Sequence, residues 1–247
     1  RLYLAKHGDA GDPETIANLE WNIAKAFLNK GHMIEAVAHF DRVLELWGNR
    51  RPTSKFAASL QFIISLLKVL RSLYLPTRKI KQIPTKRMNN IFEATYQRGT
   101  ALVSVDTSRM VTDSIRFLGT IRKYDLDRVS NGIPIYASSS ALFFFSGISY
   151  KIARKLLDYA KSHIRPGDVK TLLTFRFWEL AMDTLWGKWG KELGYDGDIV
   201  DRNIQDGDLF TAPGLVFWCG LLVTEQGRFP ETQAYLEKLG EIGDVYE

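Results

Sequence analysis

Apolar positions recur three and four residues apart along almost the whole chain, and alternating apolar–polar runs are nearly absent. That period predicts helices, and the residues between them predict where each one stops. Over residues 14–30, Ile16, Leu19, Ile23 and Phe27 share one face behind Asp12-Pro13, an N-cap followed by a first-turn proline. Gly31 should end that helix, because glycine adopts the left-handed C-terminal conformation at little cost. Residues 33–47 place Ala36, Phe40, Val43 and Trp47 on one face of a second helix. So short a turn requires antiparallel packing, in which Ala24 and Ala36 let the backbones approach and Phe27 and Phe40 fill the remaining space. Helices are also expected at 56–75, 88–104, 107–124, 134–146, 149–163 and 168–187, and a closing hairpin at 212–226 and 229–245. A basic linker is expected at 76–87, and the acidic segment 194–208 reads as a loop. The fold class expected is all-α.

The first hairpin resembles a tetratricopeptide repeat (TPR), a two-helix unit with a period of about 34 residues. Ile23, Ala24, Phe27, Gly31, Ala36, Phe40 and Val43 fall where that family places its packing residues. A second copy is visible in FWCGLLVTEQGRFPETQAYLEKL, where Gly220, Gly227, Phe229, Leu236 and Leu239 keep the spacing and Thr232 replaces the usual alanine. A third copy, SSALFFFSGISYKIARKLLDYA, matches at Ala141, Phe144, Ala153, Leu157 and Ala160, with Gly147 one position early. The resemblance implies a right-handed stack of antiparallel helical hairpins, an α-solenoid. The copies do not tile at the family period, so irregular repeats are expected, in one domain over 1–247.

The closing segment GDLFTAPGLVFWCGLLVTEQGRFPETQAYLEKLGEI and the basic LPTRKIKQIPTKRMNNIF are similar to the degenerate repeat tails of large bacterial signalling proteins. In those proteins a regulatory ATPase module precedes the repeats. This similarity implies a cytoplasmic, non-catalytic scaffold for protein–protein interaction, taken from a larger multidomain chain. The opening Arg1 leads to the same expectation of a fragment.

Composition adds bounds. At 247 residues the chain can bury a large core, and its 45% hydrophobic and 25% charged residues are ordinary for a globular protein. Cys219 is the only cysteine, which excludes an internal disulfide. Phosphate-binding signatures are absent: there is neither a Gly-x4-Gly-Lys-Ser/Thr run nor a Gly-x-Gly-x-x-Gly opening a helix. His32 and His39 lie seven apart with no second histidine four residues from either, and His7 and His163 are isolated, so no metal site is expected. The aspartates 196, 198, 201, 206 and 208 lack the closing glutamate of a calcium loop and read as helix caps in a solvated segment. Cys219, between Trp218 and Gly220 in an apolar helix, reads as an inert buried thiol, and Ser138, Ser139 and Ser140 read as packing or capping residues. No cofactor and no catalytic set is expected. Asn22 and Lys25 have no partners in register for a carboxylate clamp.

Two features suggest partner binding. Trp178, Met182, Trp186 and Trp189 follow helical spacing after Phe175; core is the plainer reading of that stripe, and a ligand groove the sharper one. Between Leu46 and Phe92 there is no Asp or Glu but ten basic residues, among them Arg78, Lys79, Lys81, Lys86 and Arg87. From Glu192 to Glu247 there are twelve acids against three bases. Such asymmetry favours an electrostatically chosen neighbour. The stretch 56–75 is apolar on nearly every side, although Lys68 and Arg71 argue against a membrane-spanning helix. A core helix would bury Phe62, Ile63, Leu66, Leu67 and Leu70. An interfacial helix with a basic flank would instead attach to a membrane surface or an acidic partner. The basic block lacks any nucleic-acid recognition motif or interleaved stacking aromatics.

Overall fold

The structure is a computed structural model and describes residues 12–49, 54–75, 81–190, 193–205, 208 and 210–246. Among these residues there are eleven α-helices and no strand, and the all-α expectation stands. An isolated bridge joins Gln82 to Tyr124. The chain divides into two compact units, 1–132 and 133–247.

The first unit holds α1 (Pro13–Asn29), α2 (Met33–Leu46), α3 (Lys55–Tyr74), α4 (Lys86–Val105) and α5 (Thr107–Ile121). The Asp12 side chain accepts from the Glu14 amide at the start of α1. At its far end Gly31 adopts φ +74°, and the His32 amide donates to the Phe27 carbonyl at 2.9 Å. This is the closure that lets a helix stop and reverse within three residues. Ala17, Ala24, Ala36, Phe40 and Val43 are fully buried in the resulting hairpin. The helix α4 packs on α2 and adds Ala94, Ala101 and Leu102 to the same core. Phe27 is only half-buried: its ring stacks on His39 with centroids 5.4 Å apart. His39 and Arg42 reach across the hairpin to Glu20, whose carboxylate is buried between them at 2.5 and 3.2 Å.

The second unit comprises α6 (Gly132–Phe145), α7 (Tyr150–Lys161), α8 (Val169–Leu185), α9 (Gly197–Gln205), α10 (Thr211–Glu225) and α11 (Phe229–Tyr246). At its centre α10 packs against α8, α9 and α11. Two glycines make this possible. A Cβ on Gly214 would stand 2.5 Å from the Phe177 ring of α8, and one on Gly220 would stand 3.1 Å from the Tyr235 Cβ of α11. Gly227 turns α10 into α11 with φ +74°, and the Arg228 amide donates to the Val223 carbonyl as in the first hairpin. In the α6–α7 pair Gly147 also has positive φ, while Ala153, Leu157 and Ala160 are buried.

Two expectations change. Leu236, assigned to repeat packing, is 56% exposed, and Tyr235 is the α11 residue that closes on Gly220. Segment 194–208, read as loop, contains α9, which buries Val200, Asn203 and Ile204. Its acids hid the amphipathic period, although two of them do act as caps. Asp196 accepts from the amides of Asp198 and Ile199, and Asp208 from those of Phe210 and Thr211.

Candidate functional site

The helix α3 has an N-cap in Ser54, whose hydroxyl accepts from the Ala57 amide, and runs for 20 residues, about 30 Å. It packs on α5 at a close crossing, where a Cβ on Gly119 would meet the Ser65 Cβ at 3.1 Å. Ser65 and Val69 are buried there. The opposite face is not covered. Phe56, Leu60, Ile63, Ile64, Leu67 and Tyr74 are all exposed, Phe56 by 79% and Leu67 by 60%. Their spacing of three and four residues makes one apolar stripe from Phe56 to Leu67, and the exposed Arg71, one turn further on the same face, separates it from Tyr74. The expected burial of Ile63 and Leu67 is therefore overturned, and Phe62, Leu66 and Leu70 are only half-buried. The cause is a single small-residue crossing: a helix apolar on all sides, seated on one neighbour, leaves its far side to solvent. Phe56–Tyr74 is also long and apolar enough to cross a membrane by length and composition.

Cations border the stripe. Lys68 and Arg71 are exposed in the C-terminal half of α3, where positive charge also suits the helix dipole. Lys81, Lys86 and Arg87 are exposed before and at the start of α4. The Lys81 ammonium donates to the Arg122 carbonyl, and partial burial together with the Arg122 charge lowers its pKa against the opposing pull of Asp125. Arg78 and Lys79 lie outside the described residues, as do His7, Arg50, Arg51, Glu192 and Asp206.

Behind α3 lies an ion network that sequence reasoning missed. Arg98, 6% exposed, donates from its two terminal nitrogens to Asp41 and Asp113, each at 3.0 Å. Arg109 contacts the same two carboxylates. Burial lowers the pKa of Arg98, an effect that Asp113 and Asp41 partly offset. Against its own burial, Arg109 is held above its ordinary value by Asp41 and Asp113. A signal for Arg98 was present, since it occupies the apolar face of α4 between Ala94 and Ala101.

The aromatic stripe of the second unit separates into two parts. Phe175 and Met182 are core, and the half-buried Trp178 packs among Phe144, Phe177 and Phe210. Trp186 and Trp189 are exposed beyond the end of α8, Trp186 against Tyr150 and Lys188. The Trp189 indole donates to the Thr184 carbonyl at 3.0 Å. The three tryptophans thus form no common surface.

Cys219 is fully buried in α10, and burial pushes its thiol up to about 12. Among the described residues no three His, Cys, Asp or Glu side chains gather as a metal site. No family model, curated protein or solved structure matches the chain.

Proposed function

We propose that this chain is a non-catalytic helical-repeat module that docks a partner through the outer face of α3. One observation carries the reading: six large apolar side chains, broken only by Arg71 between Leu67 and Tyr74, stand in solvent on one face of a helix whose other face is anchored. Large contiguous apolar patches on a folded protein mark interaction sites. Anchors at this spacing suit a helix laid against a helix or groove. The bordering cations and the lack of any acid from Leu46 to Phe92 favour an acidic amphipathic helix as occupant, from another protein or from a neighbouring domain. The TPR-like reading draws support from the two glycine-turned hairpins, α1–α2 and α10–α11. In that reading the module serves a cytoplasmic signalling protein as a scaffold.

A membrane surface is the competing occupant, because the helix has the length and apolarity for it. Its packing argues otherwise. Immersing α3 deeply would bring Arg109, Asp113 and Arg116 of the adjoining α5 towards hydrocarbon, where charge is costly. Co-sedimentation with phosphatidylcholine–phosphatidylserine vesicles separates the two. Weak binding abolished by salt is expected, since screening removes the attraction of exposed cations. Tight binding that survives high salt would move the assignment to the membrane.

A further inference from the structure

Helix α11 has the character of the occupant proposed for the α3 face, being both amphipathic and acidic. Its inner side is held by α10, with Tyr235 against Gly220 and the Thr232 hydroxyl bonded to that of Thr224 at 3.0 Å. Its outer side stands in solvent. Phe229 is 66% exposed and Leu236 56%, and Gly240 and Gly243 are exposed with them. At 3.6 residues per turn these four residues fall within an arc of about 60°. Glu237, Glu241 and Asp244, all exposed, line one flank of that arc. Glycine weakens a helix interior, and no packing in the chain requires it here: a Cβ on Gly240 or Gly243 would meet nothing within 4 Å among the described residues. Room left on an outer face suits a neighbour that comes close.

We infer, on the docking reading of α3, that the occupant of its outer face is α11 of a second copy of this chain. Charge favours the pairing. Lys68 and Arg71 are exposed on α3 in a stretch without acids, Leu46 to Phe92, whereas 192–247 holds twelve acids against three bases. In both helices the charged flank lies in the same rotational sense from the apolar strip. Antiparallel packing therefore sets the two flanks side by side, and parallel packing sets them apart. With Leu67 against Leu236, the common rise of about 1.5 Å per residue brings Ile63 over Gly240, Leu60 over Gly243 and Tyr74 over Phe229. Large side chains then meet glycines, an aromatic meets an aromatic, and Lys68 lies beside Glu237. A second α3 suits the face less, since it would bring cations to cations. Because α3 and α11 are different surfaces, the contact is heterologous, and copies add head to tail into open or ring-closed oligomers.

Sedimentation velocity over a rising protein concentration reads the association. The mean mass of the parent protein should increase with concentration. Leu67→Asp and Leu236→Asp, both at exposed positions, should each weaken self-association about tenfold or more, with circular dichroism unchanged. Each variant keeps the face that the other lacks, so mixing them should restore association and stop it at a one-to-one dimer. Gly240→Gln clashes with nothing in its own chain and replaces a poor helix former. It should raise the thermal midpoint while weakening association, which separates contact from folding. A parent protein that stays monomeric overturns the assignment, as does a mixture of the two Asp variants that stays monomeric. Undiminished association of Leu236→Asp or Gly240→Gln overturns it too, and moves the contact to another surface. The docking reading falls separately: a monomeric parent that still binds a peptide helix of leucines and glutamates keeps the α3 face and loses only α11 as its occupant.

Discussion

Helices α3 and α10 are both rich in apolar residues, yet one displays them and the other hides them. In α10 all but the outward Phe217 side is enclosed: Leu215, Val216, Cys219, Leu222 and Val223 are buried against three neighbouring helices. In α3 only Ser65 and Val69 reach that state. The difference lies in small residues rather than in hydrophobicity. Gly214 and Gly220 admit Phe177 and Tyr235 on two sides of α10, whereas α3 has one close approach, Ser65 against Gly119. An apolar helix is buried only on the sides where a neighbour can come close. The uncovered remainder of α3 is therefore a surface awaiting an occupant.

The largest effect expected from this contrast is at Val216. Val216→Asp places an uncompensated charge at a fully buried position and should cost about 3–5 kcal/mol in chemical denaturation. A cost below about 1 kcal/mol would mean that α10 is less enclosed than its neighbours indicate. Next comes the close approach itself. Gly214→Val drives a side chain into the Phe177 ring and should cost about 1–3 kcal/mol by overpacking. Gly119→Val should do the same between α3 and α5, and a neutral result would show that Ser65 is not held against it.

A third expectation compares two thiols in one molecule. With its pKa at about 12, folded Cys219 exposes almost no thiolate at neutral pH and should resist alkylation until the protein unfolds. A Leu67→Cys thiol on α3 should react at the rate of a free cysteine. The sign of the linkage follows from the raised folded value. The contribution of the neutral Cys219 thiol to stability is complete below its ordinary value of 9.0 and is lost as pH rises towards 12. Rapid labelling of native Cys219 at neutral pH would contradict its burial.

Helix positions were legible because the helical period persists through α1, α2, α5 and α7, and because Gly31 and Gly227 stand where the chain reverses. The helix α9 was not, since its few apolar residues sit among aspartates that suit caps as well as loops. The exposure of α3 was not legible either: composition identifies an apolar helix, but the number of its neighbours depends on contacts distant in sequence. Leu236 and Tyr235 illustrate the same limit at one position. Both are large, adjacent and on a helix, and only the approach of Gly220 decides which of them packs. Glu20 and Arg98 are charged residues at core positions, where a residue-by-residue reading expects solvent and the partners lie 15 to 57 residues away.

The smallest expected change in stability belongs to the surface that matters most. Leu60→Asp/Leu67→Asp on the outer face of α3 should each alter stability by no more than about 0.5 kcal/mol, as exposed substitutions do. Their effect should appear in binding. Titrating the protein with an amphipathic peptide helix, leucines on one face and glutamates beside them, tests the docking face directly. The account predicts saturable binding to the parent protein and at least about tenfold weaker binding to the double variant, with folding unchanged. Equal affinity for parent and variant, or no binding by either, would contradict it.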